Sequence, residues 1–213
     1  MQNLSKLVDH NSKNEKVPTF MVVKFNLLLL ILFSINCSSI SSFAKDPLYE
    51  KKVSLSKRII VYANPENKIT KMEQLTLMDL ARDLIGHHKE FIVYKTPPKF
   101  SGGCSKEVPK AEGIFLLSLT QDQVSNDLKM QLSGNFIQCR DQKSIWSATV
   151  SKTFSLDSNE NESLKNTYIQ KYGMGIGNRV NPYYRALSIL IDALDSPTLT
   201  NEEKDEKIEV ESM

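Results

Sequence analysis

Two segments of strict alternation constrain the fold of this chain more than any other feature. Leu128, Met130, Leu132 and Phe136 fall on even positions, and so do Trp146, Ala148, Val150, Phe154 and Leu156. Successive side chains of a strand point to opposite faces, so each segment reads as a strand with one buried face. Arg140-Asp141-Gln142-Lys143 between them is turn material, which makes the pair an expected hairpin. Both apolar sets are even-numbered, so directly opposed residues must have an even sum. A slip of one residue would set Phe136 against a polar position. One suitable register places Phe136 opposite Trp146, Leu132 opposite Val150 and Leu128 opposite Phe154, with an odd residue count in the loop.

The region before the hairpin has a different pattern. Arg58-Ile59-Ile60-Val61-Tyr62-Ala63 is a continuous apolar run, the mark of a central strand buried on both faces. Thr70 and Glu73 form a capping box, and Met72, Leu75, Leu77, Leu80, Ala81, Leu84 and Ile85 give the helix that follows a broad apolar face. Gly86 is expected to stop it. Glu90 to Tyr94 is the next strand, so the domain opens β-α-β. A proline-bounded loop carrying Ser101-Gly102-Gly103-Cys104 follows, then a third buried strand over 113–119. After the hairpin, 164–172 reads as a short helix. Asn181 caps a second, with Pro182 in its first turn and Tyr183, Ala186, Leu187, Leu190 and Leu194 on one face. The expected fold is α/β (α+β): a single mixed sheet of about five strands, opening β-α-β, with a C-terminal hairpin and two helices packed on the sheet.

The N-terminal part is of another kind. Residues 25–35 are an apolar run of the length of a signal-peptide core, roughly 7–15 residues. A spanning helix needs about 20. The run ends on Asn36 and Cys37, followed by Ser38 and Ser39, which is the pattern of a bacterial lipoprotein signal, although Ser34 and Asn36 loosen the cleavage box. Met21-Val22-Val23-Lys24 ahead of the run makes a complete signal peptide. Residues 1–20 are polar and include Asp9 and Glu15, so Met21 reads as the start, against a long n-region. The expected organisation is therefore 1–36 signal peptide, 37–49 flexible serine-rich tether, 50–197 single envelope domain and 198–213 acidic disordered tail. Cys37 would carry the lipid. Each buried methylene contributes roughly 0.8 kcal/mol, so two or three acyl chains anchor a protein almost permanently. Ser38, where aspartate would retain a protein at the inner membrane, points to the outer membrane.

Composition narrows the function classes. The chain has 27 basic and 25 acidic residues. Four lysines and two acids precede Cys37, and six acids and two lysines follow Thr200. The body keeps 21 basic and 17 acidic residues, an ordinary surplus. No basic stripe with interleaved aromatics supports nucleic-acid binding. There are three cysteines. With Cys37 acylated, Cys104 and Cys139 remain in an oxidising compartment, where a pair more often forms a disulfide than a metal or catalytic site. Two free buried thiols are the other reading.

Other motifs carry little chemistry. His87-His88 follow the helix end, where interaction with the helix dipole accounts for them, and no second cluster has metal-ligand spacing. The glycines of Gly173-Met174-Gly175-Ile176-Gly177 follow a helix rather than a strand, so they read as a flexible link and not a phosphate loop. No cofactor or metal is called for. Asp141 is explained by turn chemistry.

The signal up to Cys37, the strand 58–63, Cys139 ahead of Ser144-Ile145-Trp146-Ser147-Ala148, and Tyr168-Ile169-Gln170-Lys171-Tyr172-Gly173 ahead of Tyr183-Tyr184 together resemble a family. It is a little-characterised family of spirochaete- and myxobacterium-type envelope lipoproteins, and the resemblance covers 37–197. It implies no known activity. The element order is also similar, as a fold-level analogy, to periplasmic assembly lipoproteins that bind envelope partners. The expected function is a non-enzymatic, membrane-anchored envelope lipoprotein that docks a partner protein in an assembly, export or cell-wall complex. The alternative is an envelope hydrolase with a site near His87, His88 and Asp141.

Overall fold

The computed structural model describes residues 40–97, 104, 110–158 and 160–212. Cys37 and the signal segment lie outside them. The described chain forms one six-stranded mixed sheet with helices packed on it. Its strands are β1 (Ile40–Lys45), β2 (Arg58–Ala63), β3 (Ile92–Tyr94), β4 (Gly113–Val124), β5 (Asp127–Gln138) and β6 (Lys143–Ser155). The helices are α1 (Tyr49–Val53), α2 (Lys71–His88), α3 (Glu162–Tyr172), α4 (Gly177–Asp192) and α5 (Asn201–Ser212), with a 3-10 turn at Met174–Ile176. The sheet order is β1-β6-β5-β4-β2-β3. β2 pairs in parallel with β3 and β4, while β4, β5, β6 and β1 are antiparallel.

The hairpin register satisfies the parity rule and is the suitable one named above: Phe136 opposes Trp146, Leu132 opposes Val150 and Leu128 opposes Phe154. The loop is not odd, however. A bulge after Phe136 pairs Ile137 with Ser144 and Gln138 with Lys143, leaving Ile145 as an extra residue and a loop of four. The bulge lets both Ile145 and Trp146 be buried in succession.

Phe115, Phe136 and Trp146 lie side by side on the core face, with α4 packed on β5 and β6 and α2 on β2 and β3. Gly134 makes room for this layer. A Cβ there would stand 2.9 Å from both Leu190 Cδ2 and Phe115 Cζ, and 3.3 Å from Trp146 Cζ3. The helix can therefore approach the sheet only where the strand has no side chain. On the opposite face, Ile60 and Ile114 form a smaller core with Tyr62, Tyr94, Cys104, Ala111, Leu116 and Cys139 packed on it. Parallel strands need both faces covered, and this second core lies on the parallel part of the sheet.

Several expectations are corrected. The tether 37–49 is not flexible throughout: residues 40–45 form β1, the sixth strand, which pairs with β6. The serine-rich composition hid it, because at an edge most of its side chains face solvent. Helix α2 runs past Gly86 to His88. Gly86 is buried, with Glu211 of α5 3.1 Å from where its Cβ would lie. The glycine-rich segment is no flexible link, since it forms the 3-10 turn and the start of α4. Asn181 is therefore inside α4 and caps nothing. It is buried, and its Nδ2 donates to the Ser158 carbonyl at 2.9 Å. Pro182 falls in the second turn, where it leaves the Asn178 carbonyl, on an exposed residue, without its helical partner. The acidic tail 198–213 is not disordered: residues 201–212 are α5, docked beside β3.

Candidate functional site

The capping box at Thr70 forms as expected, and it also serves a second purpose. Glu73 accepts from Thr70 N at 2.8 Å, while its other oxygen meets Gln121 Nε2 (3.1 Å), Tyr183 OH (3.3 Å) and Arg179 Nε (3.5 Å). Burial alone would raise the Glu73 pKa, but the Thr70 and Gln121 hydrogen bonds and the Arg179 charge outweigh it and hold the carboxylate below its usual range. The result is a fixed anion joining α2, β4 and α4.

A second network fixes α3 to α2. Asp83 accepts from Tyr168 OH at 2.9 Å and from Arg82 at 3.1 Å. Asp79 accepts from Lys171, Tyr172 OH and Arg82. Burial opposes ionisation of Asp79 here too and is overcome by those partners, so its pKa is lowered. Burial pushes Tyr168 and Tyr172 well above the ordinary phenol value, with Asp83 and Asp79 adding to it. Both phenols are donors in this network.

The third network holds α5. Glu206 accepts from Arg58 Nε at 3.1 Å and Nη2 at 2.6 Å, and from Tyr94 OH at 2.5 Å. Glu203 pairs with Lys57 at 2.7 Å, and Lys207 Nζ donates to the Lys89 carbonyl at 2.7 Å. Glu112 bonds the backbone N–H groups of Lys57 and Arg58 and the Arg58 guanidinium. An open cavity of about 440 Å³ beside it is lined by Arg58, Lys110, Ala111, Glu112 and Glu206. No residue of α5 is buried, so charge rather than apolar contact docks this helix.

That docking is expected to fail in acid. The Arg58 hydrogen bonds lower the Glu206 pKa, and the Lys57 hydrogen bond lowers that of Glu203. A depressed carboxylate pKa gives stability that is complete above the ordinary value of 4.5 and lost below it, as pH falls through the folded value. Amide protection across 201–212, taken relative to the unstructured rate at each pH, should be high at neutral pH and fall well below pH 4.5, before that of the sheet. Synchronous loss of α5 and the sheet would contradict this reading.

The residues singled out in the sequence fall in separate places. Cys104 and Cys139 are joined by a disulfide, with Cα atoms 5.3 Å apart, at the end of β5 over the second core. His87 and His88 are the last residues of α2, where His87 Nδ1 lies 2.6 Å from the Asp83 carbonyl. Asp141 accepts from Lys143 N at 3.1 Å within its own turn. Among the described residues, no hydrogen bond or ion pair joins either histidine to Asp141. Nor does any group of three His, Cys, Asp or Glu side chains among them suit a metal ion.

Sequence reasoning missed β1, whose outer edge has no strand partner among the described residues. Phe43 projects from it, 54% exposed, its ring edge-on to Trp146 at 6.3 Å. Leu48, just past the strand, is 60% exposed. The far end of β1 is held firmly: Lys45 pairs with Asp195 at 2.6 Å and Glu50 at 2.9 Å, and Tyr49 OH donates to the Asp195 carbonyl. Residues 42–44 between carry no charge. One signal could have found the strand. Phe43 and Lys45 would share a face with Trp146 if the serine run continued the alternation.

The sequence matches no family model and no curated protein. Solved structures do resemble it in architecture. PelC from Paraburkholderia phytofirmans, solved as a dodecamer, is 13% identical, with 70% of this chain and 94% of that chain covered at a TM-score of 0.44. The hypothetical protein CT253 from Chlamydia trachomatis is 11% identical, covering 63% of this chain and 93% of its own at 0.41. A minor lipoprotein from Acinetobacter baumannii is 10% identical, covering 68% and 98% at 0.27. The likeness to PelC and to bacterial lipoproteins is one of structure, and no sequence family is identified.

Proposed function

We propose that this chain is a lipid-anchored, non-enzymatic protein of a bacterial envelope, carried on the outer membrane, whose domain docks a partner protein along the open edge of β1. The observation that carries the reading is that edge: a strand whose outer side has no strand partner among the described residues, with an uncharged middle over residues 42–44 and an exposed Phe43. An open edge is a template for strand addition, in which main-chain hydrogen bonds supply affinity and alternate side chains supply specificity. The ionised clusters support docking over catalysis. Glu73, Asp79 and Glu206 each have their charge consumed in holding one element to another.

Anchoring and docking are tested together by cross-linking in intact cells. The wild-type protein should fractionate with membranes and capture a partner. Cys37→Ala should move to the soluble or precursor pool. Phe43→Asp should stay on the membrane, keep its thermal midpoint and lose the cross-linked partner. Mature-sized Cys37→Ala in the membrane fraction would place the anchor elsewhere. An unchanged cross-linking pattern for Phe43→Asp would remove the β1 edge as the docking site.

A further inference from the structure

This inference rests on the lipid anchor at Cys37. Only Ser38 and Ser39 stand between Cys37 and Ile40, where β1 begins. Three residues of fully extended chain span at most about 11 Å. Ile40 is level with Val150 of β6, which is level with Leu132 of β5 and Leu119 of β4. From that level the three strands continue for five residues, to Ser155, Asp127 and Val124. At roughly 3.3 Å per residue the overhang is about 17 Å. β1 is antiparallel to β6, so it enters the sheet from the overhanging end. The tether is thus shorter than the part of the sheet that projects beyond its point of attachment. A bilayer that takes up acyl chains on Cys37 and faces the strand ends then meets the β4–β5 turn.

The composition of that turn suits the contact. Val124 is 50% exposed at the tip, followed by the uncharged Ser125 and Asn126, and the exposed Asp127 closes the turn opposite it. Lys129, which stands opposite the exposed Asp122, and Lys152 are exposed further back on the overhang. An apolar side chain at the headgroup boundary with lysines behind it, within reach of lipid phosphates, matches the general pattern of interfacial contacts.

We propose that the tip of the β4–β5 hairpin is a membrane-contacting surface, held on lipid headgroups by the short tether, with Val124 at the headgroup boundary. The chain has a single tryptophan, the buried Trp146, which gives a stable fluorescence baseline. Val124→Trp and, as a control in the β5–β6 turn at the other end of the sheet, Asp141→Trp are purified as full protein from membranes. Both are placed in phosphatidylethanolamine–phosphatidylglycerol vesicles containing lipids brominated near the headgroup. Above the baseline, the Val124→Trp emission should shift to the blue and be largely quenched, and that of Asp141→Trp should be unaffected. A flexible Gly-Ser insertion of about 15 residues before Ile40, reaching about 20 Å, should abolish the quenching. Intact mass separates the two ways of failing. Protein without acyl chains on Cys37 overturns the anchor and this proposal with it. Acylated protein in which Val124→Trp is unquenched, or Asp141→Trp is quenched equally, or quenching survives the insertion, overturns the hairpin contact alone.

Discussion

Trp146→Ala should lower the stability of the domain by roughly 3–5 kcal/mol, the range for deleting a large buried aromatic side chain. Trp146 is 1% exposed at the centre of the core face. Its ring lies 5.9 Å from that of Phe115 across Gly134, and its Nε1 donates to the Ala193 carbonyl at 3.3 Å, just past the end of α4. Truncation would therefore open a cavity between sheet and helix and leave that carbonyl without its donor, two costs that add. For a domain of this size each kcal/mol shifts the midpoint by about 2–4 °C, so a drop of about 6–20 °C is expected in a thermal melt. Trp146→Phe should recover part of the loss, since it refills volume without restoring the hydrogen bond. A midpoint within a degree or two of wild type for the alanine variant would mean that the ring does not carry this layer.

The same residue shows what the sequence could and could not disclose. Even-numbered alternation on two neighbouring strands restricted Trp146 to an even-numbered partner, with Phe136 as one suitable choice, because a one-residue slip would have exposed a whole apolar face. The bulge at Ile145 was invisible to that argument. It adds a residue outside the alternation, and its effect is to bury Ile145 through a second contact. β1 and α5 were missed for a shared reason. Ser41 and Ser42 in β1 and the glutamates of α5 look like tether and tail, because neither element is held by an apolar face. β1 is held by backbone pairing and by Lys45 with Asp195, partners 150 residues apart. α5 is held by Arg58 and Lys57, whose position opposite Glu206 and Glu203 exists only once the sheet has formed. Local periodicity reports on a local face, and these two contacts are long-range and polar. For the same reason the candidate docking edge could not be read in advance, whereas the cysteine pair could, since that argument needed only a count and a compartment.

Loss of the Cys104–Cys139 bond should cost roughly 3–4 kcal/mol in the chain-entropy model, because it closes a loop with a sequence separation of 35. The loop runs from the segment before β4 to the end of β5, so the bond also packs its own sulfurs against Ile60 and Ile114 on the second face of the sheet. β2 is parallel to both its neighbours and has apolar side chains on both faces. The first face is covered by helices. The second depends on Cys104, Ala111, Tyr94 and Cys139, a thin cover that a free loop would have to order at its own entropic expense. Urea denaturation with and without reductant, and of the Cys104→Ser, Cys139→Ser double variant, should show the loss of stability in both cases. Trp146 fluorescence should follow the change only at global unfolding, because the tryptophan lies on the other face of the sheet. Tryptic mapping without reduction, on protein isolated from its native cells, should recover the two cysteine peptides as one linked species. Both thiols alkylated without prior reduction, or equal midpoints with and without reductant, would show that the second face keeps its cover without a covalent tie.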